Sequence, residues 1–182
     1  MIYAKKLKDT IVIVSEDRKI AIQKAKEMGA KTVFLDDAYS KHDIKKVDIL
    51  LVTESKNNAC LPSGPYRERL WSSKEVIKAK EGEDFVREVS LINGTKKMSL
   101  VTAIARPQRL DKYLPDGVVA KHYFADHYSF GKDELQEILK KDKSDSLLVT
   151  YKDFVKIEDF DIDISLLDLN LKIINIDKYK IS

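Results

Sequence analysis

A chain of 182 residues is long enough for one good core or two small lobes, and 43% hydrophobic with 35% charged residues gives it the composition of a folded protein rather than a disordered one. Its net charge of +3 is spread over lysines interleaved with acids, as in Lys5-Lys6-Leu7-Lys8-Asp9. That argues against a nucleic-acid partner and leaves room for weak attraction to anionic lipid headgroups. The single cysteine, Cys60, excludes an intrachain disulfide and suits a reducing cytoplasm. The longest apolar runs, such as Ile49-Leu50-Leu51-Val52, fall far short of the roughly 20 residues of a membrane-spanning helix, so a soluble or peripheral protein is expected.

In chain order, Thr10–Val14 reads as a buried strand. Ser15 or Asp17 then caps a helix through Met28, which Gly29 stops. Strands follow at Thr32–Leu35 and Val47–Val52. The segment around Trp71 to Glu83 turns charged, and Asp84 to Leu91 alternates with a period of two, as a half-buried linking strand does. Asn93-Gly94 supplies a turn signal beside a lobe boundary. A second alternating series comprises a strand at Leu100–Ala105, a helix from about Pro107 to Leu114, a strand at Val118–His122 and a helix at Asp133–Lys141. Leu147–Thr150 and Leu171–Ile176 close it as strands, with acidic Glu158–Asp163 as a loop. Alternation of this kind predicts βαβ units and an α/β fold with parallel sheets. The expected division is residues 1–75, a linker at 76–95, and a second α/β lobe at 96–182.

Val33-Phe34-Leu35 running into Asp36-Asp37 would place two carboxylates at the carboxyl edge of a buried parallel strand, where an NTPase holds magnesium against transferring phosphates. A loop-capping pair explains the same residues equally well. The matching phosphate loop, G-x-x-x-x-G-K-[ST], does not occur: neither Gly94 nor Gly131 has a second glycine at the required spacing. By residue type alone, His127 after Asp126 reads first as a packed loop histidine, and Arg67-Glu68 after Gly64-Pro65 as readily as a surface ion pair as a phosphate-facing fork. His42 has similar standing.

Taken together, five segments resemble the tetraacyldisaccharide 4'-kinase family, the lipid A 4'-kinases of Gram-negative bacteria. They are Asp36-Asp37-Ala38-Tyr39-Ser40-Lys41-His42, Leu61-Pro62-Ser63-Gly64-Pro65-Tyr66-Arg67-Glu68, Ala103-Ile104-Ala105-Arg106-Pro107, Phe124-Ala125-Asp126-His127-Tyr128 and Thr150-Tyr151-Lys152-Asp153. The matches fall in family order from about Thr10 to Val155. The chain departs from the family's acidic motif by Ala38 in place of Gly, Tyr39 in place of Phe, and a Ser40-Lys41 pair before His42. Met1 aligns after the family's P-loop and its Gly-Asp-Glu motif. The expectation is therefore an N-terminally truncated member: a fragment, a misplaced start codon or one product of a split gene.

The resemblance implies a first lobe that is a partial P-loop NTPase-like parallel sheet, joined by a short β linker to the second α/β lobe. It implies ATP-dependent phosphorylation of the 4' hydroxyl of a lipid A disaccharide precursor, with ATP and Mg2+ as cofactors. It also implies peripheral work at the cytoplasmic face of the inner membrane. Asp36 and Asp37 take the metal role, His127 with Asp126 the catalytic role, and Arg67, Glu68 and His42 the substrate-binding role, while Lys152, Asp153 and Lys156 are given structural or peripheral ones. Two rivals stand beside this reading. One is a non-catalytic fragment or subunit that binds the precursor or completes a kinase with a separate N-terminal polypeptide. The other is a magnesium-dependent hydrolase using Asp36, Asp37 and His127.

Overall fold

A computed structural model describes residues 2–52, 57, 59–64, 66, 68–71, 75–175 and 177. It is an α/β protein whose chain divides into two compact units, one formed by residues 1–6 and 87–171, the other by residues 7–86 and 172–182. The first unit is built on a five-stranded sheet. Its strands are β3 (Phe85–Ile92), β4 (Met98–Thr102), β5 (Val118–Tyr123), β6 (Ser146–Thr150) and β7 (Ile164–Ile173), in the spatial order β3-β7-β6-β4-β5. Strand β4 pairs in parallel with both β5 and β6, and β6 in parallel with β7.

The central strands show why this sheet needs cover on both sides. Every residue of β4 is buried, as are the first four of β6, so Leu100 and Leu148 face one layer while Val101, Leu147 and Val149 face the other. On the second face, helix α3 (Lys132–Asp142) sets Leu135 and Ile138 against Val101 and Val149. Helix α4 (Tyr151–Ile157) adds Ile157 to the same cluster. On the first face, a 3-10 helix at Pro107–Tyr113 contributes Leu110 to a cluster with Met98, Leu100, Leu148 and Leu167. Gly117 enters β5 at φ +89, and a Cβ there would meet the Lys96 carbonyl oxygen at 2.6 Å, so the turn requires glycine. Helix α1 (Ile2–Lys6) belongs to this unit too, and Lys6 pairs with Asp168 at 2.5 Å.

In the second unit, Asp17 caps helix α2 (Arg18–Glu27) by accepting the Lys19 and Ile20 N–H groups, and Gly29 follows the helix at φ +87. Strands β1 (Asp48–Val52) and β2 (Val76–Lys80) form a two-stranded parallel sheet.

The strands expected at Thr10–Val14 and Thr32–Leu35 do not form. Val14 and Phe34 are 76% and 87% exposed, and an apolar run makes a strand only where a neighbour completes its ladder and a layer covers its face. The last strand also begins earlier than Leu171. Its residues 164–167 pair with β6 and bury Ser165 and Leu167 alternately, and Ile176 lies outside the described residues. The segment opening on Tyr151, read only as a motif, is a helix.

Candidate functional site

In the five-stranded sheet, the chain leaves β4 for β5 on one side and then crosses back to β6 on the other. The carboxyl ends of β4 and β6 therefore flank the point where strand order reverses, the crevice at which open α/β sheets bind ligands. Three segments converge there: Ala103–Arg106 after β4, Phe124–Phe130 after β5, and the first turn of α4 after β6.

Asp153, at 0% exposure, ties two of these segments together. One of its carboxylate oxygens accepts the Thr102 hydroxyl at 2.7 Å and the Thr150 hydroxyl at 2.9 Å, while the other accepts the Ala103 N–H at 3.3 Å and the Lys156 ammonium at 3.4 Å. Thr150 and Asp153 are the N-cap and third residue of α4, so the acid also sits at the positive end of that short helix. No buried side-chain nitrogen or oxygen among the described residues lacks a partner.

Asp126 and His127, the expected catalytic pair, lie in the loop after β5, where the structure brings them together. The His127 N–H donates to the Ala103 carbonyl at 3.3 Å and to Asp126 Oδ1 at 3.1 Å, and His127 Nε2 lies 3.7 Å from Asp126 Oδ2. The imidazole is 78% exposed and open to a reactant. Lys152 reaches Asp126 Oδ1 at 3.0 Å, and that hydrogen bond is the main reason the Asp126 carboxyl is held below its ordinary range. His127 adopts φ +64, a left-handed conformation uncommon outside glycine, and Arg106 shares it at φ +59 before Pro107. Phe124, Tyr128 and Phe130 stack edge to face or tilted beneath the loop, with centroids 4.8–5.6 Å apart.

In the second unit, Asp36 and Asp37 occupy an exposed turn, Asp37 at φ +48, with no strand leading into it. The expectation of carboxylates at the edge of a buried strand is corrected accordingly, since Val33 and Phe34 have no ladder to join. His42 packs edge-on against Tyr39 and Trp71 at ring distances of 6.0 and 5.4 Å, and the Trp71 N–H donates to the Tyr39 hydroxyl. The His42 and Trp71 rings border an open cleft of about 580 Å³ lined also by Ser40, Glu68, Arg69 and Leu70. His42 and Glu68 are thus brought together, while Arg67 lies outside the described residues.

Among the described residues, no group of three or more His, Cys, Asp or Glu side chains is placed to hold a metal ion. Magnesium asks less than that, since it takes one or two carboxylates, with water and substrate phosphates as its other ligands. The hard oxygens of adjacent Asp36 and Asp37 fit it chemically. A nucleotide's phosphates are less well served, because the phosphate-loop motif is missing from the sequence. No described helix is long and apolar enough to cross a membrane.

Asp153 and Lys156, expected only in structural or peripheral roles, are tied to this loop, and the Thr150-x-x-Asp153 spacing is a helix-start signal that sets the acid beside Thr150 though not beside Thr102.

The tetraacyldisaccharide-1-P 4'-kinase family matches residues 1–79 and 77–180. A tetraacyldisaccharide 4'-kinase of Campylobacter jejuni is 47% identical over 165 residues, covering 89% of this chain and 53% of its own. The enzymes of the same name from Aliarcobacter butzleri and Helicobacter pylori are 43% and 44% identical, covering 95% and 97% of this chain and 58% and 59% of their own. The chain thus spans a little over half the length of these relatives. No solved structure matches it at a significant level.

Proposed function

Because this chain belongs to the tetraacyldisaccharide-1-P 4'-kinase family, we propose that it carries part of a kinase that phosphorylates the 4' hydroxyl of a lipid A disaccharide precursor with ATP. The observation that carries this reading is the Asp126-His127 turn at the switch point of a parallel sheet. An exposed imidazole there is free to take the proton from a sugar hydroxyl as the phosphoryl group arrives, the general-base role such transfers need. Asp126, ionised and tethered to Lys152, holds its charge 3.7 Å from the ring and would steady the imidazolium that forms.

Asp36 and Asp37 would hold magnesium, which when bound screens the charge of the transferring phosphates. His42 and Glu68, beside the aromatic cleft, and Arg67 would contact the acceptor. We propose that the ATP phosphates are cradled by residues outside this sequence, as in a P-loop NTPase-like lobe that residues 7–86 would complete. The acyl chains of such an acceptor call for work at a membrane surface, for which we propose the cytoplasmic face of the inner membrane.

A hybrid joining this chain to the remainder of the Campylobacter jejuni relative tests the reading. Incubated with MgATP and tetraacyldisaccharide 1-phosphate, it should add one phosphate to the lipid by mass. A folded hybrid that binds MgATP and leaves the lipid unchanged would refute the proposal.

A further inference from the structure

We infer that Asp153 and Lys156 are positioning residues that set the left-handed turn at His127, a task distinct from any contact with substrate. The geometry closes a short circuit around that turn. Asp153 Oδ1 accepts the Ala103 N–H, and the carbonyl of that same residue, in the next peptide group, accepts the His127 N–H, so the carboxylate anchors the residue from which the histidine hangs. Lys156 grips the other side, donating to the Tyr128 carbonyl at 3.1 Å and to Asp153 Oδ1 at 3.4 Å, with its ammonium 5.4 Å from the Phe130 ring centre. His127 is thereby held on both flanks, through residue 103 and residue 128, by one ion pair whose acid is buried and whose lysine is partly exposed.

Such a clamp answers a specific cost. A non-glycine residue at φ +64 persists only where its surroundings over-determine it. His127 is exposed, and its ring rests against no core that could impose the conformation. The Tyr128 N–H closes the turn locally on the Ala125 carbonyl at 3.0 Å, and the two bonds that hold this turn against the sheet, through the Ala103 and Tyr128 carbonyls, lead back to Asp153. Tyr128 adds a third tie through its hydroxyl, which donates to Glu134 at the start of α3. A long cationic side chain suits position 156 because the link must span two acceptors on different segments with its charge over the Phe130 ring.

The catalytic consequence rests on the role proposed above for His127, whereas the clamp itself does not. Asp153→Asn is a poor probe, since it leaves the Thr102 and Thr150 hydroxyls competing at a buried site and endangers the fold. Lys156, partly exposed, is the better one. Amide hydrogen exchange of the 182-residue chain, read by NMR, should show the His127 N–H exchanging about tenfold or more faster in Lys156→Met, with Leu100 and Val101 unchanged and Lys156→Arg within about threefold of the parent. An unchanged His127 amide in Lys156→Met overturns the inference. So does equal acceleration at Leu100 and Val101, which would mark a general loss of stability.

In the hybrid enzyme, Lys156→Met should lower kcat with KM for ATP unchanged and add no further loss on top of His127→Ala. A hybrid without transfer activity would count against the kinase reading alone, since the exchange experiment is independent of turnover.

Discussion

Lys152 lies 3.0 Å from Asp126 Oδ1 and so binds the first turn of α4 to the loop that presents His127. The ammonium stabilises the ionised acid through a charge-assisted hydrogen bond, which outweighs the opposing effect of burial. Replacing Lys152 by Gln should let the Asp126 carboxyl rise towards its ordinary value. A carboxyl-detected NMR titration reads this directly, and an Asp126 that titrated at the same pH in both proteins would show that the contact does not form in solution.

A second polar cluster makes acid sensitivity predictable. Asp142, at the end of α3, accepts the Ser99 hydroxyl at 2.6 Å and lies 2.6 Å from His122 Nε2. Burial alone would raise its pKa, but the Ser99 and His122 hydrogen bonds outweigh that and the net direction is down. A carboxyl depressed in the folded state contributes stability that is complete above the unfolded value, about 4, and is lost as pH falls through the folded one. Asp142→Asn should therefore be less stable than the parent at neutral pH, with the gap closing below about pH 4. Urea midpoints across that range check it, and a gap that stayed constant into acid would contradict the assignment.

The doubly covered sheet sets a contrast between two strand positions. Leu148 has no exposed surface, and Leu148→Ala should cost about 2–5 kcal/mol. Val119 is 49% exposed, and Val119→Ala should cost under about 1 kcal/mol. Denaturant unfolding of the two variants measures the difference, and equal losses would mean that one face of the sheet is uncovered.

Much of the first unit was legible in the sequence because its signals are local. Strands β4, β5 and β6 are short apolar runs, and α3 carries Asp133-Glu134 in its first turn and Lys140-Lys141 in its last, in accord with the helix dipole. The runs at Thr10–Val14 and Thr32–Leu35 carried the same local signal and failed. A strand is a property of pairs, and no periodicity within Val33-Phe34-Leu35 reveals whether a neighbour lies beside it. Of the candidate site, Asp126 and His127 were found by resemblance. Asp153 was undervalued because its importance comes from Thr102 and Ala103, about 50 residues away in the chain, a closeness made by the β4–β6 pairing.

The central claim is that His127 draws the proton from the acceptor hydroxyl, and steady-state kinetics of phosphate transfer by the hybrid enzyme test it most directly. His127→Ala should lower kcat by about 10²-fold or more, with KM for ATP nearly unchanged, as removal of a general base does. A variant that kept its kcat while KM for the lipid acceptor rose would contradict the account, making His127 a binding residue and sending the proton by another route.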